Sequence, residues 1–264
     1  MTRRRADVVI VERGLVASRE RARAAIMAGE VRVGDEPVTK AGQLIDDNAE
    51  IEIRRHADYV SRGGQKLEGA FRVFGIDPRD ARAVDVGAST GGFTDYLLQH
   101  GAEHVCAIDV GYGQLAWSLR QDPRVSVFER TNIRTAEPDD VGAPFDLAVV
   151  DVSFISVGKV LHKVCSMLRP GGQLVALVKP QFEAGKGRVG KRGVVREPAI
   201  HEEVLERVLG AVREEGLVPL GLTWSPITGP EGNIEFWIWA SDDGEEVGVS
   251  VSEVVGAAHR ELGR

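Results

Sequence analysis

The stretch that decides the fold is AVDVGASTGGFTDYLLQHGAEHVCAIDVGYG, residues 83–113. A short apolar strand pattern ends at Asp85, a glycine-containing turn follows, and a helical pattern starts at Phe93. A second strand pattern ends at Asp109, 24 residues after Asp85. Glycines let a ligand approach the backbone closely, and the start of a helix offers free N–H groups. The stretch therefore predicts a nucleotide-type site at the carboxyl end of a parallel sheet.

Apolar runs on both sides of this stretch extend the predicted sheet. Short runs rich in Val, Ile and Ala alternate with helical segments from about residue 66 onward. Such alternation is typical of a doubly wound α/β domain with buried parallel strands. Two later runs, at residues 216–227 and 233–241, would complete the sheet as an antiparallel pair at one edge. The runs predicted as parallel strands are RAVDVG (82–87), HVCAIDVG (104–111), FDLAVVDVS (145–153) and QLVALVKP (173–180).

The spacing of the glycine turn favours one class of nucleotide. A dinucleotide fingerprint needs G-x-G-x-x-G, and here Ser89 stands where the second glycine would give way to pyrophosphate. S-adenosylmethionine (SAM) carries no phosphate and tolerates a less strict glycine spacing. The sequence D-x-G-x-S-x-G-G-F-T, followed by a strand that ends in Asp, is similar to the cofactor loop of Rossmann-like methyltransferases. SAM is therefore favoured over NAD as the cofactor.

Polar side chains at further strand ends complete the predicted cofactor site. Asp109 is placed to hydrogen-bond both hydroxyls of a ribose. Asn132 follows a third strand pattern, VSVFE, where such folds place a polar contact to adenine; a helix cap is the alternative. Asp151 follows the fourth strand, beside the reacting methyl group, with a turn-forming role as its alternative. The predicted SAM-binding residues are Asp85, Gly87, Ala88, Ser89, Thr90, Gly91, Gly92, Phe93, Asp109, Asn132 and Asp151.

The N-terminal residues have a different pattern and an uneven charge. Residues 1–32 hold eight arginines against four acids, although the whole chain has a net charge of −7. One short helical pattern ends at Gly14, another begins after Ser18, and the strand patterns VRV and IEI follow. The sequence GLVASRERARAAIMAGEVRVGDEPVTKAG (14–42) resembles an S4 RNA-binding domain, which is a small α+β module. The resemblance favours RNA contact over a merely solvated arginine face.

A second basic segment, EAGKGRVGKRGVVR (183–196), is rich in glycine. A mobile basic loop beside a site suits the phosphates that flank a target nucleotide. The alternative is a flexible solvated loop without RNA contact. The predicted RNA-binding residues are Arg3, Arg4, Arg5, Arg19, Arg21, Arg23, Lys40, Arg62, Lys186, Arg188 and Lys191.

Charged residues at the ends of apolar strands need a chemical reason. Lys179 stands directly before Pro180, either as a snorkelling surface residue or as a positioned catalytic group. Glu235 lies among Ile, Phe and Trp, and burial of an acid is unfavourable unless the acid is paired. The nearest sensible partners of Glu235 are Lys179 and Lys66, so the pattern predicts buried lysine–acid pairs.

These charges carry a second resemblance. The set Lys66, Asp151, Lys179 and Glu235 resembles the K-D-K-E catalytic tetrad of FtsJ-type ribose 2′-O-methyltransferases. Combined with the S4-like segment and the motifs VSRGGQKL, DVGASTGGFT, DVGYGQLAWSLR, ERTNIR, DVSFIS, LVKPQFEAGKG and GPEGNIEFW, the chain is similar to the TlyA family over nearly its whole length.

The TlyA resemblance implies a SAM-dependent ribosomal RNA (cytidine-2′-O)-methyltransferase. Its substrate would be a ribose 2′-hydroxyl of 16S and/or 23S rRNA in ribosomal subunits. The implied domains are an S4-like RNA-binding domain at residues 1–56, a linker at 57–65, and a Rossmann-like class I SAM-dependent methyltransferase domain at 66–264. In this chemistry a neutral Lys179 would accept the hydroxyl proton, whereas a protonated Lys179 would steer the oxygen lone pair. Both roles remain open at this point.

The composition also bears on disulfides, metal sites and membrane segments. Cys106 and Cys165 are too few for a disulfide framework, and no CxxC spacing or ligand cluster predicts a metal site. No apolar run approaches membrane-spanning length, and the N-terminus does not resemble a signal peptide. We therefore expect a cytoplasmic monomer or weak dimer without metal or membrane. A non-catalytic ribosome-binding assembly factor and a membrane-active hemolysin are the alternatives from other classes.

Overall fold

Two structural units divide the chain between residues 58 and 59. The computed structural model describes residues 3–16, 18–27, 31–34, 36–53, 59–185, 187–190, 193–248 and 250–263. Each unit has its own apolar core and is described separately.

The described residues of the first unit form two helices and two small antiparallel sheets. Strand β1 pairs with β4, and β2 lies between β3 and β5. The sequence predicts both helices and the strands β2 and β5. The strands β1, β3 and β4 were not predicted, because RRR, EP and LID lack the apolar–polar–apolar alternation of VRV and IEI. The elements are β1 (Arg3–Arg5), α1 (Ala6–Glu12), α2 (Arg19–Met27), β2 (Val31–Val33), β3 (Glu36–Pro37), β4 (Leu44–Asp46) and β5 (Ile51–Ile53).

The core of the first unit follows from helical spacing. Ala6, Val9 and Ile10 recur on one face of α1 and are buried against Ala22 and Ile26 of α2. The Val and Ile side chains each contribute about 1.5–3 kcal/mol when they are fully buried, and each Ala contributes less. The N-terminal unit contains no Phe, Tyr or Trp, so its core is entirely aliphatic.

The second unit is a seven-stranded sheet with helices on both faces. Its helices are α3 (Arg62–Phe74), α4 (Gly92–Gln99), α5 (Trp117–Arg120), α6 (Gly158–Cys165), α7 (Pro180–Glu183), α8 (Pro198–Glu214) and α9 (Val251–Leu262). Its strands are β6 (Arg82–Val86), β7 (His104–Ile108), β8 (Val125–Phe128), β9 (Phe145–Val150), β10 (Leu168–Val178), β11 (Val218–Trp224) and β12 (Phe236–Ser241).

The strand order is β11-β12-β10-β9-β6-β7-β8. Strands β10, β9, β6, β7 and β8 are parallel, whereas β12 is antiparallel to both β10 and β11. The predicted antiparallel pair at one edge is therefore confirmed. The order reverses between β6 and β9, and ligands of open α/β sheets bind at the carboxyl ends of the strands beside such a reversal.

Alternation along β10 shows how the two faces are covered. Leu174, Ala176 and Val178 pack in the cluster that holds α6, α8 and α9, whereas Val175 and Leu177 pack with α3 and α4. Successive side chains of a strand point to opposite faces, so a continuous apolar run belongs to a strand covered on both sides. The doubly wound fold predicted from the sequence is confirmed.

The segment that leads into the second unit was predicted as a linker up to residue 65, but the structure shows a helix that starts earlier. Helix α3 begins at Arg62, and the Ser61 side chain accepts a hydrogen bond from the Gly63 N–H at its N-terminus. Residues 62–65, predicted as linker, are therefore the first turn of a helix, and Lys66 lies one turn inside it. The glycine pair in SRGGQ suggested flexibility, but the serine cap stabilises a helix there.

Candidate active site

A crevice of about 450 Å³ opens at the carboxyl ends of β6, β7 and β9. Asp109, directly after β7, lies on its wall. The Asp109 carboxylate accepts hydrogen bonds from the Ser89 N–H at 2.8 Å and the Gly111 N–H at 2.6 Å. These bonds fix the carboxylate against the glycine turn, where further oxygen lone pairs remain for a ligand.

Gly87 shows why the turn after β6 needs glycine. Its φ is +88°, and a Cβ atom there would stand 2.4 Å from the Asp151 carbonyl oxygen. The backbones that follow β6 and β9 therefore approach too closely for any side chain at position 87. This contact brings Asp151 to the wall of the crevice.

A second pocket of about 200 Å³ lies beside the crevice. Its wall includes the first turns of α3 and α4, with Arg62 and Lys66 from α3. Gly87, Ser89 and Asp151 line both the crevice and the second pocket. A ligand in one pocket therefore meets a ligand in the other at these three residues.

The predicted tetrad forms two lysine–acid pairs. Lys66 Nζ donates a hydrogen bond to Glu235 Oε2 at 2.5 Å, and both side chains are buried. Lys179 Nζ forms an ion pair with Asp151 and donates a hydrogen bond to Ser153 Oγ at 2.9 Å. Because Lys66 and Asp151 both line the second pocket, one member of each pair borders the same space.

Two of these residues were predicted inside strands and lie one position outside the strands of the structure. Strand β10 ends at Val178, so Lys179 is the extended residue that precedes the short helix α7. Glu235 immediately precedes β12, so it lies at the end of the strand and not inside it. Strand ends leave such side chains near the carboxyl rim, where the second pocket lies.

Asp85 does not line the crevice. It is completely buried, and its Oδ2 accepts hydrogen bonds from the Thr94 N–H at 3.0 Å and the Thr94 hydroxyl at 2.7 Å. Burial raises the pKa of Asp85 to about 7; the charges of Asp151 and Asp109 act in the same direction, and the hydrogen bonds from Thr94 oppose it. The structure thus places Asp85 beneath the turn, where it holds the first turn of α4.

Other residues of the predicted cofactor site separate between the two pockets. Ala88, Thr90, Gly92 and Phe93 line the second pocket and not the crevice. Gly91 lines neither pocket, and a Cβ atom there would meet Leu119 at 2.3 Å. The glycine turn therefore forms the boundary between the two spaces.

Asn132 caps a short turn, which was the alternative role, and it also lies on the crevice wall, so its contact to adenine stays a prediction. It lines the crevice, and its Oδ1 accepts a hydrogen bond from the Arg134 N–H at 3.1 Å, which begins a short 3₁₀ turn. Because the cap uses the carboxamide oxygen, the NH₂ group is the part of the side chain suited to a ligand acceptor.

Two exposed aromatic side chains in the loops after β7 and β9 were missed by sequence reasoning. Phe154 is 91% exposed with a φ of +65°, and its ring centroid lies 5.0 Å from that of Phe182. Tyr112 is also exposed, and Arg130 Cζ lies 4.2 Å from the centre of its ring. Both aromatics follow the strand-end aspartates by three residues, in DVSF and DVGY, which is the signal that was available.

The predicted RNA-binding residues of the second unit have different environments. Arg62 is exposed and borders the second pocket. Arg188 forms a two-pronged ion pair with Glu203 of α8, at 2.5 and 2.7 Å, so its charge is matched within the chain. Lys186 and Lys191 lie outside the described residues.

The predicted RNA-binding residues of the first unit also differ. Arg4 pairs with Glu12 at 2.6 Å and Asp47 at 3.3 Å. Three other arginines, Arg5, Arg19 and Arg23, share the carboxylate of Asp7. Arg3 and Lys40 are exposed, and the side chain of Arg21 lies outside the described part of the chain.

Membrane and metal features were searched within the described residues. None of the helices there has the length and apolar character needed to cross a membrane. The same residues contain no cluster of three or more His, Cys, Asp or Glu side chains placed to hold a metal ion.

Comparison with known proteins agrees with this geometry. The family model of FtsJ-like methyltransferases matches residues 59–241, and that of the S4 domain matches residues 4–51. The Bacillus subtilis (strain 168) protein named "Putative rRNA methyltransferase YqxC" is 47% identical over 267 residues, which cover 98% of this chain and 95% of that protein.

Two further relatives extend the comparison to function and structure. The Mycobacterium tuberculosis (strain ATCC 25618 / H37Rv) protein named 16S/23S rRNA (cytidine-2′-O)-methyltransferase TlyA is 43% identical over 262 residues, covering 98% of this chain and 97% of that protein. The solved structure titled "Putative hemolysin from Streptococcus thermophilus" is 46% identical with a TM-score of 0.77, and covers 100% of this chain and 98% of that one.

The sheet, the paired lysines and the family matches define an FtsJ-like methyltransferase that carries an S4 domain at its N-terminus. Within that class the chain belongs to the TlyA family, because the similarity to TlyA extends over almost the full length of both proteins. The family and the fold class predicted from the sequence are confirmed.

Proposed function

We propose that the chain is a SAM-dependent rRNA (cytidine-2′-O)-methyltransferase that acts on 16S and/or 23S rRNA in ribosomal subunits. The observation that carries the proposal is the pair of lysine–acid contacts beside the crevice, Lys66 with Glu235 and Lys179 with Asp151. The name of the TlyA relative supports the same reaction and substrate, and the name of the YqxC relative supports rRNA methylation.

The residues of the crevice fit SAM. Its volume of about 450 Å³ lies in the range of ligand pockets, about 300–1,000 Å³. Asp109 offers carboxylate oxygens for ribose hydroxyls, and Asn132 offers its NH₂ group to an adenine acceptor. Asp151 borders the end of the crevice that opens into the second pocket. When bound, SAM supplies a methyl group on a positively charged sulfur, and this charge drives the transfer.

The chain positions the ribose hydroxyl in the second pocket. Lys66 borders that pocket, and Glu235 holds its ammonium group in place. Asp151 and Ser153 hold Lys179 Nζ from two sides. In this arrangement Lys179 either accepts the hydroxyl proton or orients the oxygen lone pair, and both roles need a fixed nitrogen.

Substrate access supports a nucleotide that is turned out of its stack. Enzymes acting on stacked nucleotides generally extrude them, at a cost of a few kcal/mol. Phe154 lines the crevice with an exposed ring, where an extruded base finds an apolar surface. A cytoplasmic location and a monomer or weak dimer remain predictions that accompany this function.

The proposal is tested by methyl transfer from radiolabelled SAM to ribosomal subunits from cells that lack this protein. Lys179→Ala is expected to lower transfer at least about 100-fold, the usual contribution of a positioned proton-transfer group. Its affinity for SAM should stay within about twofold of the wild type, because Lys179 does not line the crevice. Lys159→Ala, at an exposed position of α6, is the matched control.

The outcomes separate the alternatives. Turnover in Lys179→Ala equal to wild type would remove Lys179 from the mechanism. Binding of wild-type protein to subunits without SAM binding would instead support a non-catalytic assembly factor. Leakage of liposomes caused by the purified protein, without methyl transfer, would support a membrane-active hemolysin.

A further inference from the structure

We infer that Asp7 is a positioning residue that organises Arg5, Arg19 and Arg23 into one binding site for adjacent backbone phosphates of structured RNA. The inference rests on the proposed function in taking ribosomal RNA as the ligand. It adds a built site and an acidic residue to a surface predicted only from arginine content.

The three arginines come from two different elements and meet at one carboxylate. Arg5 of β1 donates from Nε to Asp7 Oδ1 at 2.9 Å and from Nη2 to Asp7 Oδ2 at 3.1 Å. Arg19 of α2 donates from Nη2 to Asp7 Oδ2 at 2.8 Å. Arg23, one helical turn further along α2, donates from Nε to the same oxygen at 3.5 Å.

Asp7 is buried, whereas its three arginine partners are about half exposed to solvent. The Asp7 side chain is 0% exposed, whereas the three arginine side chains are between 48% and 54% exposed. The hydrogen bond from Arg5 is the main cause that holds the pKa of Asp7 well below its ordinary value; burial opposes it, and Arg19 adds to it. The acid is thus an ionised anchor inside the unit, and the guanidinium groups face solvent.

The charges do not balance, which distinguishes this cluster from an ordinary structural ion pair. Within the described residues, three cations share one anion, so the cluster keeps an excess of two positive charges at the surface. The bonds to Asp7 use only one or two N–H groups of each guanidinium, and each group carries several more. Planar guanidinium groups in a fixed arrangement bind phosphate oxygens in two-pronged fashion.

Arg4 gives an internal contrast within the same strand. Its two partners, Glu12 and Asp47, supply two negative charges for one positive charge. The run Arg3–Arg5 therefore holds one arginine that is fully matched and one that belongs to a cluster with excess charge. A prediction from arginine content alone would not distinguish Arg4 from Arg5.

The test compares Asp7→Asn with Asp47→Asn in the full chain. Both variants remove one negative charge from the first unit and keep the size of the side chain. If the arginines acted only through net charge, both variants would bind RNA equally or more tightly. If Asp7 organises them, Asp7→Asn should bind unmethylated ribosomal subunits about tenfold more weakly despite its more positive charge, and Asp47→Asn should change affinity by less than about twofold.

The salt dependence of binding provides a readout that a merely structural role would not move. The plot of log affinity against log salt concentration should lose about one unit of slope in Asp7→Asn, corresponding to about one lost phosphate contact. Methyl transfer should show a raised KM for the subunits with kcat nearly unchanged, since the second unit is intact. An unchanged affinity and slope in Asp7→Asn would overturn the inference.

A second variant keeps the test valid if Asp7→Asn fails to fold. Arg19→Lys retains the charge but replaces the planar fork by a point charge. Organised binding predicts a loss of about tenfold for Arg19→Lys and less than about twofold for Arg13→Lys, whose guanidinium donates to the Ala49 carbonyl oxygen; equal effects would overturn the inference. Far-UV circular dichroism checks the folding of each variant. If the wild type fails to bind or methylate subunits, the proposed function fails independently of these comparisons.

Discussion

Two buried carboxylates in this chain hold cations in opposite ways. Asp7 in the first unit serves three half-exposed arginines, whereas Glu235 in the second unit serves one buried lysine. The first arrangement leaves positive charge at the surface, and the second cancels it in the interior. A shared anion suits a surface that must attract phosphate, and a one-to-one pair suits a group that must be held without excess charge.

Among the variants considered, removal of Glu235, which breaks the one-to-one pair with Lys66, should cause the largest loss of stability. Glu235→Ala leaves the Lys66 ammonium buried without its anion, a change that typically costs about 3–5 kcal/mol. All four tryptophans lie in the second unit, so urea unfolding followed by tryptophan fluorescence reports on that unit. Glu231→Ala, at an exposed acid four residues earlier, should leave the unfolding midpoint unchanged. Equal midpoints for both variants would contradict the pairing.

Asp85 is a buried acid that pairs with no cation among the described residues, and the effect of its removal on stability should therefore have the opposite sign. Its pKa of about 7 in the folded state lies above the ordinary value of 3.8, so stability is lost as pH rises from about 4 through 7. Asp85→Asn should stabilise the second unit by about 2 kcal/mol at pH 8, after the loss of part of the Thr94 contact. Near pH 4 the burial penalty is gone and only the lost part of the Thr94 contact remains, so Asp85→Asn should be slightly destabilising there. A difference independent of pH would show that Asp85 is ionised in both states.

Glu183 is a buried acid that binds a backbone group instead of a cation. Its Oε1 accepts a hydrogen bond from the Val157 N–H at 2.7 Å, which ties the segment after Lys179 to the segment after Asp151. Glu183→Ala should cost about 1–2 kcal/mol of stability, because a buried N–H loses its partner. Glu183→Gln keeps an acceptor oxygen and should recover most of the loss. Urea unfolding compares the two, and failure of the Gln variant to recover stability would point to a requirement for charge.

The exposed pair of Arg188 and Glu203 should show the smallest effect. Exposed ion pairs contribute about 0–1 kcal/mol, so Glu203→Gln should change the stability of the second unit by less than about 0.5 kcal/mol. The freed Arg188 should raise affinity for ribosomal subunits by about twofold at low salt, with no difference at high salt. A large loss of stability would show that this surface pair acts like the buried one.

The fold was predictable because its strands are apolar on both faces. The runs around Asp85, Asp109 and Asp151 gave the order of strands and helices without further information. The start of α3 was not predictable in the same way, since the glycine pair after Arg62 favours a loop in isolation. There, the Ser61 cap and burial of Tyr59 against Gly64 override the local preference.

The candidate site was predictable in its residues but not in all of its contacts. The isolated acid Glu235 implied a lysine partner, and the structure gives Lys66 that place. The bond between Asp85 and Thr94 depends on the geometry of the turn, which no spacing rule specifies. Asp7 was missed because it was counted only as one acid among arginines. Which of several cations an acid binds depends on tertiary packing.

The thin boundary between the crevice and the second pocket has a consequence for ligand design. Gly87, Ser89 and Asp151 belong to both walls, so no bulky side chain separates the two spaces. A single molecule that joins an adenosine moiety to a cytidine through a short linker at the ribose oxygen would occupy both spaces at once. Such a bisubstrate inhibitor would gain effective concentration from its linker, and truncation to either half would forfeit that gain.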